Sequence, residues 1–233
     1  KLDGIRASLG KAFRPPTIYE LYRTTKIVTK TYVSNPELSP ETTQSWEIGI
    51  DQHVGKIALC ATYFESRIDD LIYSKKGTGS FYVKENAVCG KIAGFEVEGK
   101  VKIVTGLDAF ANYTLQDTEI TSNPADPNTV GKDFQFVPEK MSNLGLSFHK
   151  NALDASCIWH WVKKMYAESD NSDVVKNVYK SYDTVNIVDV KMGYAFKENI
   201  RLSLAVDNLF DKEYYQCYKA PGRTISVEVR CKY

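Results

Sequence analysis

The sequence predicts an all-β protein whose strands form the wall of an antiparallel transmembrane β-barrel. Three observations predict this fold. About ten segments alternate apolar and polar residues, their connections alternate between short turns and long polar loops, and aromatic residues gather at both strand ends. No stretch approaches the roughly 18 consecutive apolar residues that a membrane helix needs. The pattern therefore excludes a helical membrane protein and favours strands that cross a bilayer.

The alternation is strict near the C-terminus, where Val227 and Val229 share one face of a strand and Glu228 and Arg230 share the other. The same period of two predicts nine further strands, and together they make about ten. From the C-terminus backwards, they lie around residues 200–207, 188–196, 153–161, 142–148, 107–115, 93–101, 57–63, 46–50 and 5–9.

The connections predict which strand ends share a rim. Four are short, at residues 53–55, 104–106, 149–152 and 197–199, whereas five are long and polar, at residues 13–42, 73–90, 117–138, 164–184 and 209–222. Short turns on one rim and long loops on the other are typical of outer-membrane barrels. The alternative, a soluble β-sandwich, would bury its apolar face against a second sheet and would rarely distribute loop lengths so regularly.

The polar face predicts a wide interior that is wet or filled by a polar domain, because a small packed barrel would not accept its charges. The residues that define this face are Arg6, Glu47, Asp51, Glu96, Glu98, Lys100, Asp108, Asn112, Asn143, Asp154, Asp189, Lys191, Arg201, Asp207, Glu228 and Arg230. Aromatic girdles are expected at both rims: Phe148, Phe196 and Tyr233 near the short turns, and Tyr63, Tyr113, Trp159 and Trp161 nearer the long loops.

Charge and motif content exclude several other functions. The chain carries 30 basic and 29 acidic residues, a balance that would not attract nucleic acid. The three histidines, His53, His149 and His160, fall on separate segments and predict no metal cluster. We find no GxSxG, HExxH or phosphate-binding glycine loop, so we expect neither an enzyme nor a cofactor.

The five cysteines are an odd number at wide spacing, so we expect isolated thiols. A Cys217–Cys231 bridge across the last hairpin is the alternative.

The chain starts at Lys1 without a signal segment, which leads us to expect a preceding N-terminal part.

Several motifs, in order, resemble the barrel of TonB-dependent outer-membrane receptors. They are ASLGKAFRPPTIYELY (7–22), NPELSPETTQSWEIGID (35–51), ATYFESRIDDLIY (61–73), NAVCGKIAGFEVEG (86–99), NLFDKEYY (208–215), APGRTISVEV (220–229) and the terminal aromatic Tyr233. The resemblance implies that residues 1–233 are the C-terminal portion of a 22-stranded barrel in the outer membrane of a Gram-negative bacterium. The plug domain and the first strands would lie outside this chain, the short turns in the periplasm and the long loops outside the cell.

The same resemblance implies TonB-energised uptake of a scarce, bulky ligand such as a ferric siderophore, haem or cobalamin. The implied partners are that ligand, the TonB complex acting through the plug, outer-membrane lipid, and the barrel assembly machinery, which would read Tyr233 as its signal. A passive porin-like channel and a surface adhesin remain alternatives.

Exposed loop aromatics and cations are the expected ligand contacts, since such side chains suit planar or anionic chelates. The candidates are Tyr19, Tyr22, Tyr32, Phe81, Tyr82, Phe134, Phe136, Tyr166, Tyr179 and Arg223. We also expect Glu20, Asp211 and Arg223 to pair at the rim or in the lumen. Asn208 and Gly222 suit positive φ at strand ends.

Overall fold

The computed structural model describes residues 3–197 and 199–231, and ten long strands within them form one antiparallel sheet. Each strand pairs with the next along the chain, in the order β1-β4-β5-β6-β7-β8-β9-β10-β11-β14. The elements are β1 (Gly4–Arg14), α1 (Ile18–Tyr22), β2 (Thr25–Ile27), β3 (Lys30–Val33), β4 (Glu41–Val54), β5 (Ile57–Lys76), β6 (Phe81–Val104), β7 (Leu107–Ser122), a 3-10 turn (Pro127–Thr129), β8 (Lys140–Lys150), β9 (Leu153–Val162), β10 (Val185–Lys197), β11 (Ile200–Asp207), β12 (Tyr215–Gln216), β13 (Tyr218–Lys219) and β14 (Thr224–Cys231). The ten predicted strands are confirmed, and Tyr233 lies outside the described residues.

One face of the sheet is apolar, and the pairing register shows why. Ile48 lies directly opposite Tyr63, and Tyr63 lies opposite Phe95, so apolar side chains run across neighbouring strands at one level. These side chains are exposed: Ile48 keeps 48% of its surface, Phe95 56% and Val227 67%. Exposed apolar surface of this extent is typical of a face that contacts lipid or another protein.

The opposite face is polar, as predicted. Arg6 forms an ion pair with Asp51 at 3.3 Å and donates to the Thr62 hydroxyl at 2.5 Å. Further along the sheet, the Asn143 side chain donates to Asn112 Oδ1 at 2.9 Å. The strand register places all sixteen predicted polar-face residues on this side.

The short turns are confirmed between β4 and β5, β6 and β7, and β8 and β9, each of which leaves two residues outside the strands. Gly55, Gly106 and Asn151 occupy these turns with φ of +60°, +84° and +54°. Glycine and asparagine tolerate this left-handed conformation best, so local sequence determines where each hairpin reverses.

Four long connections lie at the other end, loop A (15–40), loop C (123–139), loop D (163–184) and loop E (208–223), together with a short one, loop B (77–80). The predicted long loop at 73–90 is wrong, because β5 and β6 continue pairing through Lys76 and Tyr82 and leave only four residues unpaired. A bulge at residues 68–71, with Asp70 at φ +60°, shifts the register and lets the polar ladder continue. The alternation does not continue through this ladder, because the bulge shifts the register and charged residues such as Lys75 and Glu85 lie among apolar ones.

Aromatic contacts lie at two levels of the apolar face. Tyr63 packs between Trp46 and Phe95, with ring centroids 5.2 and 4.8 Å away. Nearer the short turns, Tyr194 and Phe196 meet edge to face at 4.9 Å. The predicted pair of aromatic levels is therefore present in the described strands. None of the helices in residues 3–197 and 199–231 has the length and apolar character needed to span a bilayer.

A small core lies on the polar face near the long loops. Val88, Ile120 and Phe134 are buried together, and Ile68 and Leu71 pack against them. Gly90 makes this possible, because a Cβ atom there would overlap the Phe134 ring and approach the Glu119 carbonyl oxygen to 2.8 Å. Loop C thus folds over the polar face and is anchored there by Phe134.

Of the two residues predicted to have positive φ at strand ends, one does and the other does not. Asn208 has φ +52°, as predicted, whereas Gly222 does not have positive φ. The absence of a side chain at Gly222 instead leaves space for the Asp211 carboxylate, because a Cβ atom at position 222 would lie 2.6 Å from Asp211 Oδ1.

All five cysteines are free, so the Cys217–Cys231 alternative is wrong.

Substituting Asn208 should loosen loop E. Asn208 is only 4% exposed, and its side chain both donates to and accepts from the Lys212 backbone at 2.9 Å. Asn208→Ala loses both hydrogen bonds and adds left-handed strain, so we expect about 2–3 kcal/mol of local destabilisation. Asn208→Gly also loses both hydrogen bonds, but glycine adopts the positive φ without strain, so we expect its destabilisation to be about 1 kcal/mol smaller. The rate of hydrogen exchange in residues 208–223 would measure the destabilisation in each variant. Equal acceleration in the alanine and glycine variants would contradict the role of the positive φ.

Candidate ligand-binding loops

Loops C and D are joined by a reciprocal pair of hydrogen bonds. The Asp133 backbone N–H donates to Asn171 Oδ1 at 2.8 Å, and Asn171 Nδ2 donates back to the Asp133 carbonyl at 3.1 Å. The Phe136 N–H donates to the Tyr166 carbonyl at 2.8 Å. These three hydrogen bonds hold loops C and D against each other.

Loops D and E are joined by the buried carboxylate of Asp183, which is 6% exposed. It accepts from the backbone N–H of Asn177 at 3.1 Å and from that of Tyr215 at 2.9 Å. The Cys217 N–H donates to the Ser181 carbonyl at 2.9 Å. Loops C, D and E thus form one unit, called here the CDE assembly, in which buried polar groups are paired.

Loop A packs against the tip of the β5–β6 hairpin. Strand β3 adds to β6 in parallel, with Tyr32 opposite Tyr82. The Asn86 side chain accepts from the Ser39 N–H at 2.8 Å and donates to the Ser39 carbonyl at 2.9 Å. We call this second unit the A–hairpin assembly.

The base of loop A is held by Arg14, which pairs with Glu20 of α1 at 3.1 Å and with Glu41 of β4 at 2.5 Å. Glu20 also completes a capping box with Thr17, accepting from its backbone N–H at 2.8 Å. Partial burial alone would raise the pKa of Glu20, but hydrogen bonds from Arg14 and Thr17 outweigh it and lower this pKa to about 2. Glu20 therefore pairs with Arg14, not with Arg223 as expected.

Acid should release loop A. Because the pKa of Glu20 in the folded protein lies below its ordinary 4.5, the carboxylate stabilises the folded loop above pH 4.5. That contribution is lost as the pH falls through about 2. We expect pepsin to cut within residues 15–40 increasingly over this range, and Glu20→Gln to be cut readily at its upper end. Cleavage of the parent protein that is equally fast throughout the range would contradict the coupling.

The A–hairpin assembly presents a stacked aromatic pair. The rings of Tyr32 and Tyr82 lie 5.2 Å apart at an angle of 24°, and the Lys30 ammonium lies 5.3 Å from the Tyr82 ring. Arg23 follows α1 directly, and its guanidinium lies 4.8 Å from the ring of Tyr19 on that helix. Tyr22 and Phe81 are 70% and 53% exposed. These predicted candidates all lie in the A–hairpin assembly, where Tyr82 and Tyr19 each have a cation beside the ring. We call them the first patch.

The CDE assembly presents a second patch. Tyr179 contacts Tyr218 at 5.3 Å, and the Lys180 ammonium lies 5.7 Å from the Tyr179 ring. A hydrogen bond with Tyr179 raises the pKa of Tyr218. Phe136 meets Tyr182 edge to face at 5.1 Å, and the Lys164 ammonium lies 4.4 Å from the Tyr166 ring. Among the described residues, no ring contact joins this patch to the first.

Two further candidates, Phe134 and Arg223, lie in loops C and E. The prediction of Phe134 as an exposed ligand contact is wrong, since it is only 9% exposed and belongs to the core. Its apolar ring fills the space above Gly90. Arg223 is exposed, and its backbone N–H donates to Asp211 Oδ1 at 2.7 Å.

The sequence pattern did not indicate three tyrosines of the loops and of strand β5. Tyr218 and Tyr182 complete the second patch, and Tyr73 links the assemblies by donating to Asp126 Oδ2 at 3.2 Å while its hydroxyl also meets Ser169 Oγ at 3.2 Å. Burial raises the pKa of Tyr73, as does the Asp126 carboxylate. Their spacing held no signal, because loops distant in sequence bring them together.

Histidines and carboxylates do not converge on a metal site in the part of the chain that the structure describes. His53 contacts Asp3 at 2.8 Å. His160 lies between Asn143 Oδ1, at 2.6 Å from Nδ1, and Asp189 Oδ2, at 3.3 Å from Nε2. The loop patches are therefore built from rings and cations.

Residues 3–209 match the family described as TonB dependent receptor-like, beta-barrel. The chain belongs to this family. TonB-dependent receptors among the solved structures share its fold: the copper transporter OprC superimposes with a TM-score of 0.76 at 21% identity, covering 98% of this chain and 38% of OprC. The ferric enterobactin receptor PfeA of Pseudomonas aeruginosa gives a TM-score of 0.76 at 18% identity, over 98% of this chain and 38% of PfeA.

Curated relatives are named as transporters and binding proteins. The vitamin B12 transporter BtuB of Vibrio vulnificus is 24% identical over 220 residues, which cover 93% of this chain and 32% of BtuB. The hemoglobin and hemoglobin-haptoglobin-binding protein A of Haemophilus influenzae is 26% identical over 235 residues, which cover 90% of this chain and 21% of that protein. The chain spans about a third or less of these relatives.

Proposed function

We propose that this chain is the C-terminal part of the barrel wall of an outer-membrane receptor, which takes up a scarce, bulky ligand with energy delivered through TonB. Family membership supports this proposal. The observation that carries it is the pair of loop assemblies, whose exposed aromatic rings and cations are fixed in place at one end of a wall with a polar face.

The two faces of the sheet support a membrane location. The apolar face, with aromatic rings at two levels, suits lipid, and the polar face suits a lumen. Ten strands leave both sheet edges unpaired in the described chain, so we propose that residues 1–233 join further strands and a plug domain from the rest of the full-length protein. The long loops would then face outwards and the short turns the periplasm, and Tyr233 would serve the assembly machinery.

The patches suit a ligand with planar or anionic groups, such as a metal chelate, a haem or a corrinoid. Tyrosine rings offer large, rigid contact surfaces, and ammonium groups beside them favour negative charge. We propose Tyr19, Tyr22, Tyr32, Phe81, Tyr82, Phe136, Tyr166, Tyr179 and Arg223 as contacts, and add Tyr182 and Tyr218.

A binding panel would test the proposal. The purified full-length receptor is titrated with ferric enterobactin, haemin and cyanocobalamin, and intrinsic tyrosine and tryptophan fluorescence is followed. We expect at least one of them to bind with a dissociation constant of about 1 μM or less, which corresponds to about 8 kcal/mol. If none of the three compounds binds and the protein shows a steady ion conductance in planar bilayers, the receptor proposal is contradicted and a passive channel is the better interpretation.

A further inference from the structure

A row of polar side chains crosses the polar face from β7 to β10. Asn112 lies opposite Asn143, and Asn143 lies opposite His160. Asp189 lies on β10, two residues beyond Ile187, the residue that pairs with His160. We call Asn112, Asn143, His160 and Asp189 the polar row. All four strands are paired on both sides, so the row lies within the wall and away from its free edges.

The hydrogen bonds of the polar row have a defined direction. Asn112 Oδ1 accepts from the Asn143 backbone N–H at 3.1 Å, and because a backbone N–H can only donate, this atom is the amide oxygen. The same oxygen accepts from Asn143 Nδ2 at 2.9 Å, so Asn143 Oδ1 is the atom that faces His160. It lies 2.6 Å from His160 Nδ1, which must therefore carry a proton and donate.

The second ring nitrogen of His160 faces a carboxylate. His160 Nε2 lies 3.3 Å from Asp189 Oδ2. A neutral imidazole has one N–H, and since Nδ1 holds it here, Nε2 would present a lone pair to that carboxylate. The imidazolium form instead places a positive charge beside the carboxylate and forms an ion pair. The contact is therefore favourable when His160 holds the additional proton and unfavourable when it does not.

Asp189 also holds the start of loop E. Its Oδ1 accepts from the Asn208 backbone N–H at 2.7 Å, and the N–H of the next residue, Leu209, donates to the Val188 carbonyl at 2.7 Å. Burial raises the pKa of Tyr214, also in this loop, and the nearby Asp189 carboxylate raises it further. Loop E thus begins on a carboxylate that His160 contacts through the other oxygen.

His160 is the group in this region whose charge changes near neutral pH. Over pH 5 to 8 carboxylates, lysines and tyrosines ordinarily keep one charge state, whereas histidine titrates. The neighbouring polar-face positions of β8 and β9 are uncharged: Met141, Gly145, Ile158 and Val162. The other titratable groups around the row, on β6, loop D, β10, β11 and loop E, are Glu98, Asp183, Lys191, Asp207, Lys212 and Tyr214.

We propose that His160 and Asp189 position loop E in a pH-dependent manner. Below about pH 6 the imidazolium holds the Asp189 carboxylate in place, and the carboxylate holds the Asn208 N–H. As the pH rises towards 8, the Nε2 lone pair repels the carboxylate and weakens its bond to loop E. Because loop E carries Tyr218 and is joined to loop D through Asp183, the second patch binds its ligand more tightly at the acidic end. The change in affinity rests on the proposed function, whereas the positioning of loop E does not.

Hydrogen exchange of the full-length receptor without ligand tests the positioning. Protection factors of residues 208–215, which correct exchange rates for their intrinsic pH dependence, are compared at pH 5 and pH 8. We expect protection in the parent protein to be about threefold to tenfold higher at pH 5. His160→Gln should give equal protection at both values, whereas the control His149→Gln, at the short-turn end, should keep the parent's difference. Equal protection in the parent, an unchanged difference in His160→Gln, or its loss in His149→Gln would overturn the proposal.

Asp189→Asn distinguishes this pairing from a purely structural role, and it remains informative if His160→Gln fails to fold. The new amide oxygen can still accept from the Asn208 N–H, and its Nδ2 can donate to the neutral Nε2 of His160 but not to the imidazolium. We therefore expect the pH dependence to reverse, with higher protection at pH 8. A difference with the parent's sign would contradict the pairing.

Titration with the three compounds of the binding panel, at both pH values, separates this proposal from that of the receptor. A compound that binds should bind about threefold to tenfold more tightly at pH 5 in the parent, relative to the same comparison in His160→Gln. An equal ratio in the two proteins would contradict the link to the second patch. If no compound binds while protection depends on pH as expected, the receptor proposal fails and the positioning of loop E stands.

Discussion

Replacing Phe134 with alanine should release loop C from the barrel wall. The Phe134 ring is the largest side chain of the buried cluster with Val88 and Ile120, and it covers Gly90. Loss of a buried phenylalanine commonly costs about 3–5 kcal/mol, because the cavity left behind does not close completely. Hydrogen exchange of residues 123–139 in the full-length protein should accelerate by about a hundredfold or more, as expected for a loss of that size.

Phe136→Ala is the matched control, since it removes the same side chain two positions away. Phe136 is 53% exposed and makes one ring contact, with Tyr182. We expect its effect on exchange to correspond to about 1 kcal/mol or less. Similar acceleration in the two variants would show that burial of Phe134 does not anchor the loop.

Removing the ring pair Tyr179 and Tyr218 should have the largest effect on ligand affinity. The two rings are 57% and 67% exposed, contact each other at 5.3 Å and project from loops fixed through Asp183. Rigid exposed tyrosines are frequent binding hot spots, each worth about 2 kcal/mol or more when truncated. Tyr179→Ala with Tyr218→Ala should therefore weaken ligand binding by about a hundredfold.

Phenylalanine substitutions at the same two positions separate the ring from the hydroxyl, and we expect them to retain most of the affinity. Val174→Ala, on the same loop and 64% exposed, tests for a general effect of trimming loop D. Surface amounts of each receptor are measured by antibody in whole cells. Undiminished affinity in the double alanine variant would exclude this patch from the binding site.

The wall could be predicted from sequence because it depends on a local pattern. Residues two apart share a face of a strand, so Val227 and Glu228 alone indicate which side of β14 is apolar. The short turns were equally local, since Gly55 and Gly106 provide the φ that the reversal needs. Three of the four predicted short turns are confirmed, and the fourth, at 197–199, includes residue 198, which lies outside the described residues.

The loops could be predicted only as a set of exposed rings and cations. Phe134 is buried because Gly90, 44 positions earlier, leaves space for it, and no periodicity connects the two. The junction of loops D and E depends on Asp183 accepting from Tyr215, 32 positions later. The outer part of the β5–β6 ladder was missed for a related reason: the bulge at residues 68–71 shifts its register, and β3, about 50 positions earlier, pairs with its tip.

Three charged residues on the apolar face were also outside the reach of the pattern. Lys11, Arg67 and Lys91 lie on the face that the alternation assigns to apolar residues. Strands that continue past the apolar level retain their period of two but exchange apolar residues for charged ones. The end of the apolar level therefore becomes visible only when neighbouring strands are placed in register.

Energy-dependent uptake distinguishes a TonB-energised receptor from a passive channel. Cells expressing the full-length protein are given the radiolabelled form of the ligand that binds in the panel, and uptake is compared with and without TonB. We expect surface binding in both strains but accumulation inside the cell only where TonB is present. Equal accumulation without TonB would contradict the receptor assignment and leave a passive channel in its place.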